Sequence, residues 1–206
     1  MSDDHPKHAR TDHAVAELVR RRWSPYAFAD RDVEPAALRS LFEAARWAAS
    51  SYNEQPWRFL VARRADPAAF ASLLSCLVEG NQAWARHAPV LAIGLACTRF
   101  ARNARPNKAA HHDLGLATAT LSLEATGRGL AVHPMIGIVP ERVRELYRVP
   151  DDVEPLTALA IGYAGEPAAL PDALRARDEA PRTRRTLGEQ VFGAAFGEPA
   201  DFVRSS

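Results

Sequence analysis

The segment from about Asn107 to Arg128 constrains this chain most. Its middle, LGLATATLSLEA, carries leucines at 114, 116, 121 and 123, and alanine and threonine rather than charges fill the gaps. At about 100° per residue those leucines fall on different faces of a helix. A helix that is apolar nearly all round has little surface to give to water, so it belongs in a core or an interface. Gly127 and Gly129 stop it.

The other elements must be able to enclose such a helix. Val90 to Cys97 and Leu156 to Tyr163 are short, continuous apolar runs, which read as strands buried on both faces. Arg58 to Ala62 reads as a short strand, and Leu130 to Ile138 as an irregular one because it contains Pro134. Helices are expected from Asp12 into Arg20-Arg21-Arg22, stopped by Ser24-Pro25, and from Pro35 to about Ala49 with Asp32 as its cap. Two more are expected from Pro67 to about Val78, capped by Asp66, and from Pro140 to Tyr147. No repeat or linker divides the chain, so residues 12–206 are expected to form one domain. Residues 1–11 are polar and read as a disordered tail. From Pro167 the sequence alternates proline, charge and short helix without a core of its own, and residues 167–206 are expected to wrap a second subunit.

Composition excludes several function classes. A chain of 206 residues buries roughly 70% of its extended surface, enough to fold without a disulfide or metal staple. Cys76 and Cys97 are too few for a disulfide framework and suggest a reducing compartment. The N-terminus has no apolar signal region, and the longest apolar run, Pro89 to Cys97, is far short of the ~20 residues that span a bilayer. A cytoplasmic protein with no membrane partner is therefore expected. Lys and Arg number 26 against 25 Asp and Glu, a formal charge of +1, which excludes a nucleic-acid binder working by bulk charge. It leaves room for a single anion held by a few local arginines. His111 and His112 are adjacent and point about 100° apart, with no H-x-x-x-H or C-x-x-C, so no metal site is expected. GRGLAV at 127–132 lacks the third glycine of a dinucleotide fingerprint and joins helix to strand rather than strand to helix. No G-x-S-x-G or S-x-x-K nominates a nucleophilic serine.

Three segments carry the chemistry. RWSPYAF (Arg22 to Phe28) places an arginine just past a helix and a serine in the following turn. SSYNEQPW (Ser50 to Trp57) is a loop dense in donors and acceptors, and PRTRR (Pro181 to Arg185) sets alternate arginines where they can reach one anion. Arginine forks suit a phosphate that is held rather than merely attracted. A ligand with one phosphate and a polar, planar head would use all three segments.

Over about residues 13–197 the chain resembles the FMN-dependent nitroreductase family. The resemblance rests on Arg22, Ser24 and Phe28 of R-x-S-x-[RK]-x-F, and on Ser50, Ser51, Asn53, Gln55, Pro56 and Trp57 of S-S-x-N-x-Q-P-W. NQAW at 81–84, DLGLA on the long helix, HPMIG at 133–137, the AIGY strand and R-x-R at 182–184 extend it in the same order. The resemblance implies an α+β fold: a central, mainly antiparallel sheet flanked by helices, in an intertwined homodimer with FMN at the subunit interface. It implies that Arg22, Arg182 and Arg184 bind the FMN phosphate, helped by Arg185, with Ser24 on the phosphate or ribityl chain and Trp23 and Tyr26 as further cofactor-binding candidates of the same segment. Ser50, Ser51 and Asn53 would come from the partner subunit, and Gln55 is a further cofactor-binding candidate of that loop. Asn81 would meet the pyrimidine edge with Trp84 nearby. Pro134, Met135, Ile136 and Gly137 would pass the ring, the backbone of Ile136 or Gly137 lying near N5.

No catalytic side chain is needed, because the flavin carries hydride. The implied activity is NAD(P)H-dependent two-electron reduction of a nitroaromatic, quinone or related small-molecule acceptor. Tyr26 and Trp84 depart from the family, which has basic residues there facing flavin N1 and O2. That departure suggests a lower flavin potential or a specialised acceptor, unless Arg86 takes over. A flavin carrier or sensor without nicotinamide turnover is the alternative.

Overall fold

Residues 5–203 are described by a computed structural model. Four strands, β1 (Trp57–Arg63), β2 (Val90–Cys97), β3 (Ala131–Met135) and β4 (Val153–Gly162), form one sheet in the order β1-β2-β4-β3, with every neighbouring pair antiparallel. The two continuous apolar runs are the two central strands, as burial on both faces requires. Alternate residues divide between two cores. Leu91, Ile93, Leu95, Ala158 and Ala160 face a layer made of α3 (Pro67–Leu74), α4 (Glu79–Ala85) and α6 (Pro140–Tyr147), which contributes Phe70, Leu73, Trp84 and Val143. Val90, Ala92, Ala96, Leu159 and Ile161 face α2 (Pro35–Arg46) and α5 (Ala110–Gly127), which contribute Leu38, Leu41, Leu114 and Leu121.

The apolar helix is α5. Leu114, Ala117, Leu121 and Ala125 enter the second core, and Thr118, Ser122 and Thr126 are buried beside them. Ser122 and Thr126 donate their hydroxyls back to the carbonyls of Thr118 and Ser122 at 2.8 and 2.9 Å, so those hydroxyls are satisfied within the helix. A stripe of small and apolar residues remains open: Gly115 and Ala119 are exposed, Leu116 and Leu123 half-buried. Gly129, at φ +73°, makes the left-handed turn into β3.

Several boundaries differ from the sequence reading for physical reasons. The first helix, α1 (Glu17–Arg21), begins five residues after Asp12. Asp32 does not cap α2: Glu34 is the N-cap without a side-chain bond, and Pro35 sets the start. Asp66 does cap α3, its carboxylate accepting from Ala69 N at 3.1 Å. That helix ends at Leu74 because the next residues are drawn into tertiary pairing: Val78 N donates to Gly137 O at 3.1 Å and Val139 N to Cys76 O at 2.7 Å. The chain then restarts as α4, which the apolar pattern did not reveal.

The reading of residues 1–11 as a disordered tail needs correction from His5 onward; Met1 to Asp4 lie outside the described residues. Lys7 is buried, its Nζ donating to the carbonyl of Arg177, and Ala9 N donates to Arg20 O at 2.8 Å. A polar segment held by main-chain carbonyls leaves no apolar signature.

An aromatic cluster closes the first core beside β3. Trp84 stacks with Phe28 and lies 4.5 Å from the His133 ring, and Tyr26 lies 4.7 Å from His133 and 5.1 Å from Trp84. His133 Nδ1 stands 2.9 Å from the Pro25 carbonyl, which can only accept, so Nδ1 carries the proton. Burial pushes the His133 pKa down, opposed by that hydrogen bond and by Asp178.

Two outcomes test this packing. Leu121→Ala, at a fully buried site, is expected to cost about 2–5 kcal/mol in chemical denaturation. Because folded His133 binds its proton less tightly than an unfolded histidine, the unfolded chain takes up more protons as the pH falls through 6.5, its ordinary value. Stability should therefore be lost on acidification below that pH, and His133→Gln should flatten that part of the curve of urea midpoint against pH.

Candidate functional site

Arg22 follows α1 in extended geometry because Pro25 keeps Ser24 out of a helix. It is half-buried, and its Nη1 donates to Ser24 Oγ at 3.3 Å. The C-terminal segment returns to the same place after α7 (Asp172–Glu179). Asp178, almost wholly buried, accepts from Tyr26 N at 3.0 Å and Ala27 N at 2.9 Å. Arg182 then donates Nη2 to the Arg20 carbonyl at 2.6 Å and Nη1 to the Arg22 carbonyl.

This seam gathers like charges. Burial, and then repulsion from Arg184, push the Arg22 pKa down. Burial and then repulsion from Arg22 and Arg184 do the same to Arg182. Among the described residues none of Arg22, Arg182 and Arg184 is ion-paired, and Arg182 Nε is buried without a partner. Guanidinium groups so arranged fit an anion with several oxygens, such as a phosphate. Arg185 is exposed, and only its carbonyl is engaged, by Gln190 Nε2 at 3.0 Å. Trp23 is occupied elsewhere, 5.4 Å from the His5 ring and beneath the Lys7 ammonium.

Arg22 also lines an apolar cavity of about 450 Å³ with Pro134, Ile136 and the open stripe of α5. Ile136 is 72% exposed. The turn that carries it is pinned by α4, where Asn81 Nδ2 donates to Gly137 O at 3.0 Å. A Cβ on Gly137 would lie 2.5 Å from that nitrogen and 2.8 Å from Val78 Cγ2, so only glycine allows this approach. The amide N–H groups of Ile136 and Gly137 donate to no acceptor among the described residues. Thr157 Oγ1 holds the Met135 carbonyl at 3.0 Å.

Two expected ligand residues face the core instead. Trp84 is 2% exposed and Met135 7%, both in the first core cluster. Tyr26 lies in the aromatic cluster with its hydroxyl 3.3 Å from Arg177 Nη1. Arg86, the alternative cation, is exposed and donates Nε to its own helix at Ala83 O.

Ser50, Ser51, Asn53 and Gln55 do not line the cavity of their own chain. They form a tight loop at the start of α5, where Ser51 N donates to buried Asp113 at 3.0 Å and Ser50 Oγ accepts from Gln55 N at 3.0 Å. Tyr52, Asn53 and Gln55 hold φ of +55°, +56° and +51°, a left-handed geometry costly to non-glycine residues. The anchors Arg177 and Asp178 escaped the sequence reading, and Asp113 entered it only as part of DLGLA, because single polar side chains bonded to distant partners follow no periodicity. His111 pairs with Glu154 at 2.9 Å, and no metal-binding group of three or more His, Cys, Asp or Glu occurs among the described residues.

A profile described as the nitroreductase family matches residues 19–163. An uncharacterised 15.4 kDa protein of Mycolicibacterium smegmatis is 37% identical over 149 residues, covering 69% of this chain and 99% of its own length. A Streptomyces coelicolor protein, provisionally named NADH dehydrogenase/NAD(P)H nitroreductase, is 30% identical over 175 residues, 75% of this chain and 86% of its own. A solved structure described as an oxidoreductase containing FMN superposes with a TM-score of 0.87 at 31% identity, covering 95% of this chain and 98% of the other. The match takes in the whole sheet, α5 and both loops that meet at the cavity, and the chain belongs to the nitroreductase family.

Proposed function

We propose that this protein is an FMN-dependent oxidoreductase that uses NAD(P)H for two-electron reduction of a nitroaromatic, quinone or related electrophile. The observation that carries the reading is a cluster of arginines without an ion pair among the described residues, one of which, Arg22, lines an apolar cavity. When bound, FMN supplies the ring that accepts and returns hydride. Arg22, Arg182 and Arg184 hold its phosphate, with Ser24 beside Arg22 and Arg185 in reserve. Pro134 and Ile136 give the ring an apolar wall. The unpaired amides of Ile136 and Gly137 are donors for a ring nitrogen, and Asn81 fixes the turn that presents them. No side-chain acid or base is required, and reactants exchange over the exposed side of the cavity.

The functional unit in this reading is a homodimer. The open stripe of α5 supplies an apolar contact, and the strained loop carrying Ser50, Ser51, Asn53 and Gln55 serves the cavity of the other subunit. The tail beyond residue 186 still exposes Phe196 and Phe202, at 94% and 82%, and these are surfaces for a partner copy. No helix among the described residues is long and apolar enough to cross a membrane, and we place the enzyme in the cytoplasm.

A second reading, a flavin carrier or sensor, draws on Trp84, a buried uncharged side chain where the resemblance leads one to expect a basic residue. With no charge on that side chain, the site would favour a lower flavin potential.

The purified protein is expected to be yellow with an FMN spectrum, and anaerobic NADH or NADPH is expected to bleach it. A colourless protein that FMN does not reconstitute contradicts the proposal, and a yellow protein that neither nicotinamide bleaches favours the carrier. Arg22→Ala should weaken FMN binding by about 10–100-fold, the scale of one charge-assisted hydrogen bond, as read by equilibrium titration.

A further inference from the structure

Lys7 lies outside the family-matched region, which begins at residue 19, and yet it is only 7% exposed. An ammonium is not buried cheaply, so its partners carry information. Its Nζ donates to the carbonyl of Arg177 and sits 5.7 Å from the centroid of the Trp23 ring. Arg177 lies in the last turn of α7, where carbonyls lack helical donors. In a continued helix the donor would be the amide of residue 181, but that residue is Pro181 and has no N–H. The ammonium fills this gap and places a cation at the negative end of the helix.

The bond sits at one end of a seam. Arg177 Nη1 reaches Tyr26 Oη, Asp178 takes the amides of Tyr26 and Ala27, and Arg182 grips the carbonyls of Arg20 and Arg22. On the N-terminal side, Ala9 N is bonded to the Arg20 carbonyl that Arg182 also uses. Lys7 thus joins three pieces of chain: its own segment, Trp23 next to Arg22, and the end of α7 that leads into Arg182.

We propose that Lys7 is a positioning residue for the anion site: it supplies the donor that Pro181 cannot give to Arg177, and so fixes Arg182 beside Arg22. The proposal rests on the reading of the arginine cluster as a phosphate site.

The test compares FMN with riboflavin, which lacks the phosphate, in fluorescence titrations of the apo-protein. Lys7→Met keeps the aliphatic stem over Trp23 and removes the donor. Its ratio of FMN to riboflavin affinity is expected to fall about tenfold, with riboflavin affinity unchanged, and Lys7→Arg should restore most of the ratio. Arg182→Ala is the control for the underlying reading. If it leaves the ratio unchanged, the phosphate site itself is wrong; if it lowers the ratio and Lys7→Met does not, the role of Lys7 is overturned. A parallel loss of both affinities with a lower melting temperature reduces Lys7 to a structural residue and also overturns it. Should Lys7→Met fail to fold, Lys7→Gln is read by the same ratio; a fall supports the proposal and an unchanged ratio overturns it.

Discussion

Hydrogen bonds to main-chain carbonyls hold Arg182 against the segment that carries Arg22, and those bonds neutralise nothing. A carbonyl fixes a guanidinium in space while leaving its positive charge in place. The bonds from Arg182 to Arg20 and Arg22, and the bonds of buried Asp178 to the next amides, bring together segments more than 150 residues apart in sequence. Arg184 adds a further charge close enough to depress both Arg22 and Arg182. Held together in this way, the cluster stores repulsion that an anion with several oxygens relieves. The chemical demand of the site follows from that geometry.

The sheet makes the arrangement possible. Burying β2 and β4 on both faces fixes two helical layers, and α5 completes one of them while leaving a stripe of small residues uncovered. Pro134 and Ile136 leave β3 beside that stripe, so the cavity is a by-product of how the edge strand ends. Asn81 and Gly137 then fix the turn closely enough that two backbone amides stay unpaired. The strained loop after α2 does not line this cavity in its own chain and is anchored by Asp113 in the first turn of α5.

What could be read from the sequence follows the same division. Apolar runs report burial on both faces, so β2 was legible almost to the residue and β4 from Leu156 onward, while its first residues, Val153 to Pro155, lie outside the apolar run; α3's start was legible at the Asp66-Pro67 signal. Arg22, Ser24, Arg182 and Asn81 were legible through motif order, and the structure sets each where it bears on the cavity or its cluster. The direction of a side chain was not legible: Trp84 and Met135 sit in ligand-like positions of the motif but turn into the core. Neither was the break between α3 and α4, which depends on pairing with residues 137–139. Lys7, Arg177 and Asp178 were invisible because each acts through a few long-range polar bonds that leave no sequence pattern.

The position of the phosphate decides the role of the arginine cluster. The most direct measurement is a diffraction map of the protein crystallised with FMN. Phosphate density is expected about 2.7–2.9 Å from guanidinium nitrogens of Arg22 and Arg182, with the ring lying along Pro134 to Gly137. Phosphate density away from those arginines, with Arg22 and Arg182 still bound only to protein groups, would contradict it.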